Sequence, residues 1–157
     1  TGSWDGTARV WDLATGQARH TLTGHTGPVV AVATMRLPDG TPVAVTGSWY
    51  GTARVWDLTT GRTIHVLAGC HAPLMTTSID GCGPVLTLSA SHATIRVWFL
   101  DHAEFTDDPV TAALPEPAQA LAVAPDGTLV VGFGADVAAF ALPPPSQRTP
   151  HSRVSSH

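Results

Sequence analysis

Hydrophobic positions recur along most of the chain with the two-residue period of β-strands. Short segments such as "PVVAVAT", "TPVAVTGS", "TARVWDL" and "RTIHVLAG" combine alternating apolar positions with many β-branched residues. The turn signals "PDG", "TTG" and "GH" separate them. No segment has a convincing helical period. The pattern therefore predicts an all-β fold with little helix.

The strand pattern is repeated along the chain. The opening "TGSWDGTARVWDL" returns 45 residues later as "TGSWYGTARVWDL", with a single letter changed. Trp11, Trp56, Trp98 and Phe140 anchor four such units at spacings of 45, 42 and 42 residues. Similarity between the units decreases toward the C-terminus. A repeat of this length predicts stacked units of four short strands each.

The repeated unit resembles the WD-repeat β-propeller family. The resemblance rests on the unit length, on Gly24-His25 ahead of one strand and on Trp56-Asp57 at the end of another. It covers residues 1–142. It implies a partial propeller of three to four antiparallel four-stranded blades, of which the first and last are incomplete. The blade boundaries are expected near residues 24, 70 and 116.

The family's order of strands a to d within each blade gives a strand map for this chain. The expected strands lie near 7–13 and 17–22, then 28–35, 42–48, 52–57 and 62–67, then 73–79, 84–89, 94–99 and within 108–114, and finally 119–124, 128–133 and 136–142. Pro143 to Pro145 follow the last of them and cannot continue a strand ladder. The last blade is therefore expected to lack its outer strand.

In the family, four side chains of a blade form a hydrogen-bonded network: an Asp in the turn between strands b and c, a His, a Ser or Thr in strand b and the Trp of strand c. The residues that match are Thr1, Asp5 and Trp11 in the first unit, His25, Thr46 and Trp56 in the second, and Trp98 in the third. These are the expected structural network residues.

Two units depart from this pattern. In the second unit, Tyr50 stands where the Asp is expected. In the third, Cys70, Leu88 and His92 replace the His, the hydroxyl residue and the Asp. We therefore expect an interrupted network in the second unit, and we expect Trp98 of the third unit to lack its usual partner.

Aromatic residues in the b–c turns are the candidate partner-binding residues. Trp4, Trp49 and Tyr50 occupy these turns, and His92 takes the corresponding place in the third unit. The resemblance places the turns on the top face of the propeller, where partners dock. Large aromatics in polar turns are typical of interface anchors. Packing of each ring against the neighbouring blade is the alternative, and the two roles are compatible.

The predicted function is a non-catalytic scaffold module that binds another protein, or another domain of its own protein, through the top face. The alternative is a regulatory or sensor propeller of a larger signalling enzyme, with a kinase, protease-like or nucleotide-switch domain upstream. A propeller hydrolase is disfavoured because the starts of the innermost strands, "GPVV", "APLM" and "PAQA", bring no acidic or histidine residues together.

Composition narrows the partners. The sequence has eight Lys and Arg residues, 12 Asp and Glu residues and no basic cluster, which argues against nucleic acid as a partner. No run of 18 apolar residues offers a membrane span. Two cysteines are too few for the disulfide framework of a small secreted domain. A cytoplasmic location is the resulting expectation.

The sequence predicts no metal, cofactor or catalytic centre. Cys70, His71 and Cys82 lack the paired spacing of structural zinc sites. His92 and His102 lie near Asp101 in sequence, but no nucleophile accompanies them. Exposed loop histidines are the simpler interpretation.

The two ends of the chain carry further expectations. The chain begins inside a repeat and without Met, so we expect a C-terminal piece of a longer protein. All eight Lys and Arg residues of the chain are Arg and alanine is abundant, so we expect the source to be a GC-rich bacterium. Open blade edges would then allow self-association. Residues 143–157 are rich in Pro and Ser and are expected to be a disordered tail, with a ligand for a proline-binding module as the alternative.

Overall fold

The computed structural model describes residues 1–37, 39–68, 74–79, 83–90, 93–101, 104–105, 110–124 and 128–141. Fourteen β-strands and no helix lie within these ranges, so no helix there is long or apolar enough to cross a membrane. All assigned strand pairs are antiparallel. The predicted all-β fold class is confirmed.

Four antiparallel sheets follow one another along the chain. The first pairs β1 (Ala8–Trp11) with β2 (Ala18–Leu22). The second has the order β3 (Val29–Arg36), β4 (Pro42–Ser48), β5 (Thr52–Asp57) and β6 (Thr63–Ala68). The third contains β7 (Leu74–Ile79), β8 (Gly83–Ala90) and β9 (Thr94–Asp101), with β10 (Glu104–Phe105) and β11 (Val110–Ala113) both pairing with β9. The fourth contains β12 (Ala118–Val123), β13 (Thr128–Phe133) and β14 (Asp136–Ala141).

Each expected strand has an observed counterpart whose ends differ by two residues or fewer. The short strand β10 was not expected, and it pairs with the C-terminal end of β9. Residues 24 and 116 lie in the connections from β2 to β3 and from β11 to β12. Residue 70 and the tail 143–157 lie outside the described residues.

A short additional backbone pairing lies ahead of β1. Gly2 forms an isolated antiparallel bridge with Ala8. The amide of Arg9 also donates to the carbonyl of Thr1 over 2.8 Å. Residues 1–2 therefore pair with the start of β1.

Neighbouring sheets pack face to face through buried apolar clusters. The first and second sheets share Ala8, Leu22, Val29, Ala44 and Trp56. The second and third share Met35, Leu37, Val43, Val45, Ala53, Val55 and Trp98. The third and fourth share Ile95, Val97, Leu114, Ala118, Leu121, Leu129 and Val131. A strand buries alternate residues on opposite faces, so each inner sheet can contact both of its neighbours. This is the arrangement of successive propeller blades.

Trp56 and Trp98 each lie buried at a boundary between two neighbouring sheets. Trp56 lies on β5 and packs among residues of the first sheet, whereas Trp98 lies on β9 and packs among residues of the second. Both indoles are buried. The repeat spacing therefore reflects one large aromatic side chain at each of these two sheet boundaries, where aromatic burial contributes most per residue.

Truncation of a valine at such a boundary should be far more costly than the same change at the surface. Val45 is completely buried beside the Trp98 ring cluster, whereas Val137 on β14 is largely exposed. We expect Val45→Ala to lower the free energy of unfolding by about 2–3 kcal/mol through lost burial and a residual cavity. Val137→Ala, the matched control, should change it by less than about 0.5 kcal/mol. Urea unfolding of both variants measures this, and equal losses would contradict the assigned packing.

Candidate partner-binding surface

A single buried hydroxyl connects three parts of the second sheet. Thr46 lies in the middle of β4, and its Oγ1 accepts a hydrogen bond from Trp56 Nε1 on β5 over 2.7 Å. The same oxygen lies 2.7 Å from Nε2 of His25, in the loop that precedes β3. A hydroxyl can accept one hydrogen bond and still donate its own proton. Thr46 can therefore satisfy both the indole and the imidazole.

The network continues beyond His25 through a residue that was not expected. Nδ1 of His25 lies 3.1 Å from Oγ1 of Thr52, the first residue of β5. Tyr50 leaves the imidazole without the carboxylate that the family pattern supplies, and the expected interruption does not occur because the Thr52 hydroxyl takes that place. With Nε2 accepting from Thr46, Nδ1 can donate to Thr52.

The imidazole in this network is neutral at physiological pH. Burial is the main cause that lowers the pKa of His25, from 6.5 to about 4. The positive charge of Arg54 adds to this effect, and a hydrogen bond with the backbone of Thr46 opposes it. The Arg54 guanidinium carbon lies 5.8 Å from the centre of the Trp56 ring, within the range of a cation–π contact.

The first unit has a shorter version of the network. Trp11 Nε1 donates to Thr1 Oγ1 over 3.0 Å. The Asp5 carboxylate accepts from the backbone N–H of Thr7 over 2.8 Å and from its hydroxyl over 2.7 Å. The Thr7 hydroxyl is the main cause that lowers the pKa of Asp5, so this exposed carboxylate is ionised at neutral pH. Nη2 of Arg9 lies 3.6 Å from Oδ2, the other carboxylate oxygen of Asp5.

The third unit has only part of its network residues in the described ranges. Trp98 is buried against the second sheet, where its ring packs with apolar side chains. His92, the candidate surface residue of this unit, lies outside the described residues. So do Cys70, His71, Cys82 and His102. Within the ranges that are described, no three His, Cys, Asp or Glu side chains come close enough to hold a metal ion.

Two equivalent turns carry the exposed aromatic residues. One turn spans Ser3 to Gly6, with Gly6 N–H donating to Ser3 O over 3.3 Å, and the other spans Ser48 to Gly51, with the same bond over 3.2 Å. The glycine that closes each turn has a positive φ, 80° and 79° respectively. Glycine adopts this backbone conformation without the penalty that a side chain would incur. The repeated "SW-G" letters thus encode the same turn twice.

Trp4, Trp49 and Tyr50 form an exposed surface that we call the aromatic platform. Their exposed fractions are 81%, 59% and 64%. The rings of Trp4 and Trp49 lie with centroids 6.5 Å apart and planes tilted by 35°. One Trp comes from the first sheet's turn and the other from the second sheet's. The two rings therefore contact each other across the boundary and still present most of their surface to solvent.

The aromatic platform rests on tightly packed backbone. Gly27, in the loop before β3, faces the Tyr50 ring so closely that a side chain there would collide with it. A side chain at Gly6 would likewise lie 3.2 Å from the carbonyl oxygen of His25. Val29 N–H donates to Ser3 O over 2.9 Å, which joins the first turn to the second sheet. These contacts hold both turns in fixed positions.

Sequence reasoning missed Thr7, Thr52 and Gly27. The first two occupy the same place in the repeated "GTARVW", and each hydroxyl contacts a network residue of its own unit. That repeated threonine was the available signal. No local pattern pointed to Gly27, because its role depends on the approach of a ring from a different turn.

Removal of the Thr46 hydroxyl should destabilise the second sheet. Thr46→Val keeps the size of the side chain but leaves Trp56 Nε1 and His25 Nε2 without their partner. We expect a loss of about 2–4 kcal/mol in the free energy of unfolding, the penalty for two polar groups left unsatisfied in or near the core. Thr46→Ser keeps the oxygen and serves as the control. Urea unfolding should rank wild type, Ser and Val in that order, and a Val variant as stable as the Ser variant would refute the role of the hydroxyl.

The low pKa of His25 predicts a loss of stability on acidification. Between pH 6.5 and about 4 the unfolded chain binds a proton at His25 that the folded chain does not, so the free energy of unfolding falls as the pH falls through this window. For a partly exposed group, we expect roughly 1–3 kcal/mol. Urea unfolding from pH 7.5 to 4.5 should show a smaller pH dependence for His25→Gln than for wild type. An unchanged pH dependence would exclude this linkage.

Comparison with known proteins agrees with the repeat pattern. Residues 1–12 and 16–57 match the WD40 family, described as WD domain, G-beta repeat. Over 32 residues the chain is 56% identical to Mitochondrial division protein 1 from Malassezia globosa, a match that covers 20% of this chain and 5% of that protein. The chain thus spans only a small part of that relative. The all-β fold of the present chain has the architecture of partial propeller blades, and its residues 1–57 are similar to WD40 repeats.

Proposed function

We propose that this chain is a non-catalytic protein–protein interaction module whose aromatic platform contacts the partner. WD40 repeats generally mediate interactions between proteins, and the match to them in residues 1–57 supports this class of function. The observation that carries the proposal is the exposure of Trp4 and Trp49 side by side across a sheet boundary. The partner is a separate protein or another domain of the same protein.

The physical argument concerns what these two indoles do in the free protein. Trp56 and Trp98 stabilise the fold because they are buried, whereas Trp4 and Trp49 keep most of their surface in water. A tryptophan buries up to about 250 Å² when it is covered, which is why it dominates many interfaces. Burial of both rings by a partner would recover this unused hydrophobic free energy.

The rigid base of the aromatic platform favours binding as well. Both turns are closed by backbone hydrogen bonds, and Trp49 N–H also donates to Pro28 O over 3.0 Å. A turn backbone that is already held in place loses less conformational entropy when a partner docks. The aromatic platform is therefore better suited to a specific contact than the same residues on a loose loop would be.

Loss of both indoles should abolish partner capture and leave the fold intact. In Trp4→Ala with Trp49→Ala, we expect the urea midpoint to stay near that of wild type, because neither ring is buried, while binding of the partner falls more than tenfold. The measurement is pull-down from an extract of the source organism with immobilised wild type and variant, followed by titration of the recovered protein.

Leu13→Ala is the matched control, since Leu13 is an almost fully exposed apolar residue in the turn after β1, away from the aromatic platform. It should bind the partner as wild type does. Retention of the partner by the double variant would exclude the aromatic platform as the binding surface. A large loss of stability in the double variant would assign Trp4 and Trp49 to the fold instead.

A further inference from the structure

We propose that the aromatic platform recognises an arginine side chain in a basic segment of the partner. In this arrangement the guanidinium stacks on the exposed indole faces and pairs with the Asp5 carboxylate. The proposal rests on the function proposed above and adds to it the chemistry of the partner. Two features of the described residues support it: the exposed aromatic faces and the adjacent carboxylate.

The geometry of the two indoles suits a flat cation lying on the aromatic platform. With centroids 6.5 Å apart and planes tilted by 35°, Trp4 and Trp49 are too close for another planar group to enter between them, because two van der Waals contacts of about 3.5 Å each need a gap of about 7 Å. Their remaining exposed faces are available on the outside. A guanidinium placed over an indole face is attracted by the negative charge of the ring's π-system.

A carboxylate lies next to the indoles on the same turn. Asp5 follows Trp4 directly, and its side chain is 50% exposed. Thr7 donates two hydrogen bonds to one carboxylate oxygen, and Arg9 lies 3.6 Å from the other. A hydrogen bond from the Ser3 side chain also helps to lower the pKa of Asp5. An exposed ion pair at that distance contributes little to stability and can be exchanged. The second oxygen is therefore accessible to an incoming guanidinium, which would form a charge-assisted hydrogen bond with it.

Neither Arg9 nor Arg54 fills this role. Arg9 lies beside Asp5, but half of the Asp5 side chain remains exposed to solvent. Arg54 is partly buried, with its guanidinium over the Trp56 ring. Its Nε is buried without a hydrogen-bond partner, so this side chain is committed to the interior.

The Asp5 carboxylate favours a basic partner over an acidic one. The net charge of −4 at pH 7 belongs to the whole sequence, whereas residues 1–57 contain four Asp and four Arg residues and are balanced, so the local carboxylate carries this argument. A carboxylate beside the indoles would repel an acidic segment and would be left unused by a purely apolar one. Arginine suits the site better than lysine because its planar, weakly hydrated guanidinium can stack and donate hydrogen bonds at the same time.

The test uses the full chain with short synthetic peptides as probes. The first probe is acetyl-Gly-Arg-Gly-Arg-Gly-amide, and the matched probes carry citrulline or lysine in place of both arginines. Citrulline has nearly the shape of arginine but no charge. The readout is the saturable shift of the assigned indole N–H resonances of Trp4 and Trp49 in NMR titrations. We expect the citrulline peptide to bind at least tenfold more weakly than the arginine peptide, and the lysine peptide several-fold more weakly.

Two substitutions should change the affinity in opposite directions. Asp5→Asn should weaken binding of the arginine peptide about fivefold, because the pairing charge is lost. Arg9→Gln should strengthen it about threefold, because the competing guanidinium is removed from Asp5. Asp39→Asn and Arg19→Gln make the same charge changes at exposed positions outside the aromatic platform and should each leave the affinity within about twofold.

The outcomes separate this proposal from the function on which it rests. Equal binding of the arginine and citrulline peptides, insensitivity to Asp5→Asn, or tighter binding of an otherwise identical glutamate peptide would overturn arginine recognition. No shift of either indole resonance with the arginine peptide would also overturn it. In each of these cases, loss of the natural partner by the double tryptophan variant would still support the aromatic platform as the binding surface.

Discussion

The second sheet depends on the Thr46 hydroxyl, a buried polar group that β4, β5 and the loop before β3 share. It lies on a central strand whose residues are almost all buried, and it links the indole of β5 to the imidazole of the loop before β3. Since a buried donor without an acceptor is costly, this oxygen sets the position of both rings. The burial of Trp56 at the first boundary follows from that position.

The hairpin of β4 and β5 shows why residue type alone does not define a role. Trp56 and Trp49 lie seven residues apart, yet one is buried with a hydrogen-bonded indole and the other is largely exposed. Trp56 occupies a strand position that faces the first sheet. Trp49 lies in the turn that connects β4 to β5 and is closed by Gly51. Aromatic residues at the two kinds of position therefore serve the fold and the surface, respectively.

Most of the fold could be predicted because its signals are local. The two-residue period defines strands, and the spacing of Trp11, Trp56 and Trp98 groups them into sheets. The contact of His25 with Thr52 was harder to predict, because it depends on how closely the loop before β3 approaches the start of β5. The same holds for the ring contact of Trp4 with Trp49, which needs both sheets in place. Pairwise contacts across sheets are not encoded in any single segment.

The aromatic platform is consequently a property of the sheet boundary and not of either turn alone. Trp4 belongs to the first sheet and Trp49 to the second, so their 6.5 Å separation exists only while the two sheets are docked. The bond from Val29 N–H to Ser3 O and the cluster around Trp56 hold that docking. Because Thr46 positions Trp56, the interior network and the exposed surface are energetically connected. A partner that binds both indoles at once would in turn stabilise the boundary, since binding to the docked form alone shifts the equilibrium toward it.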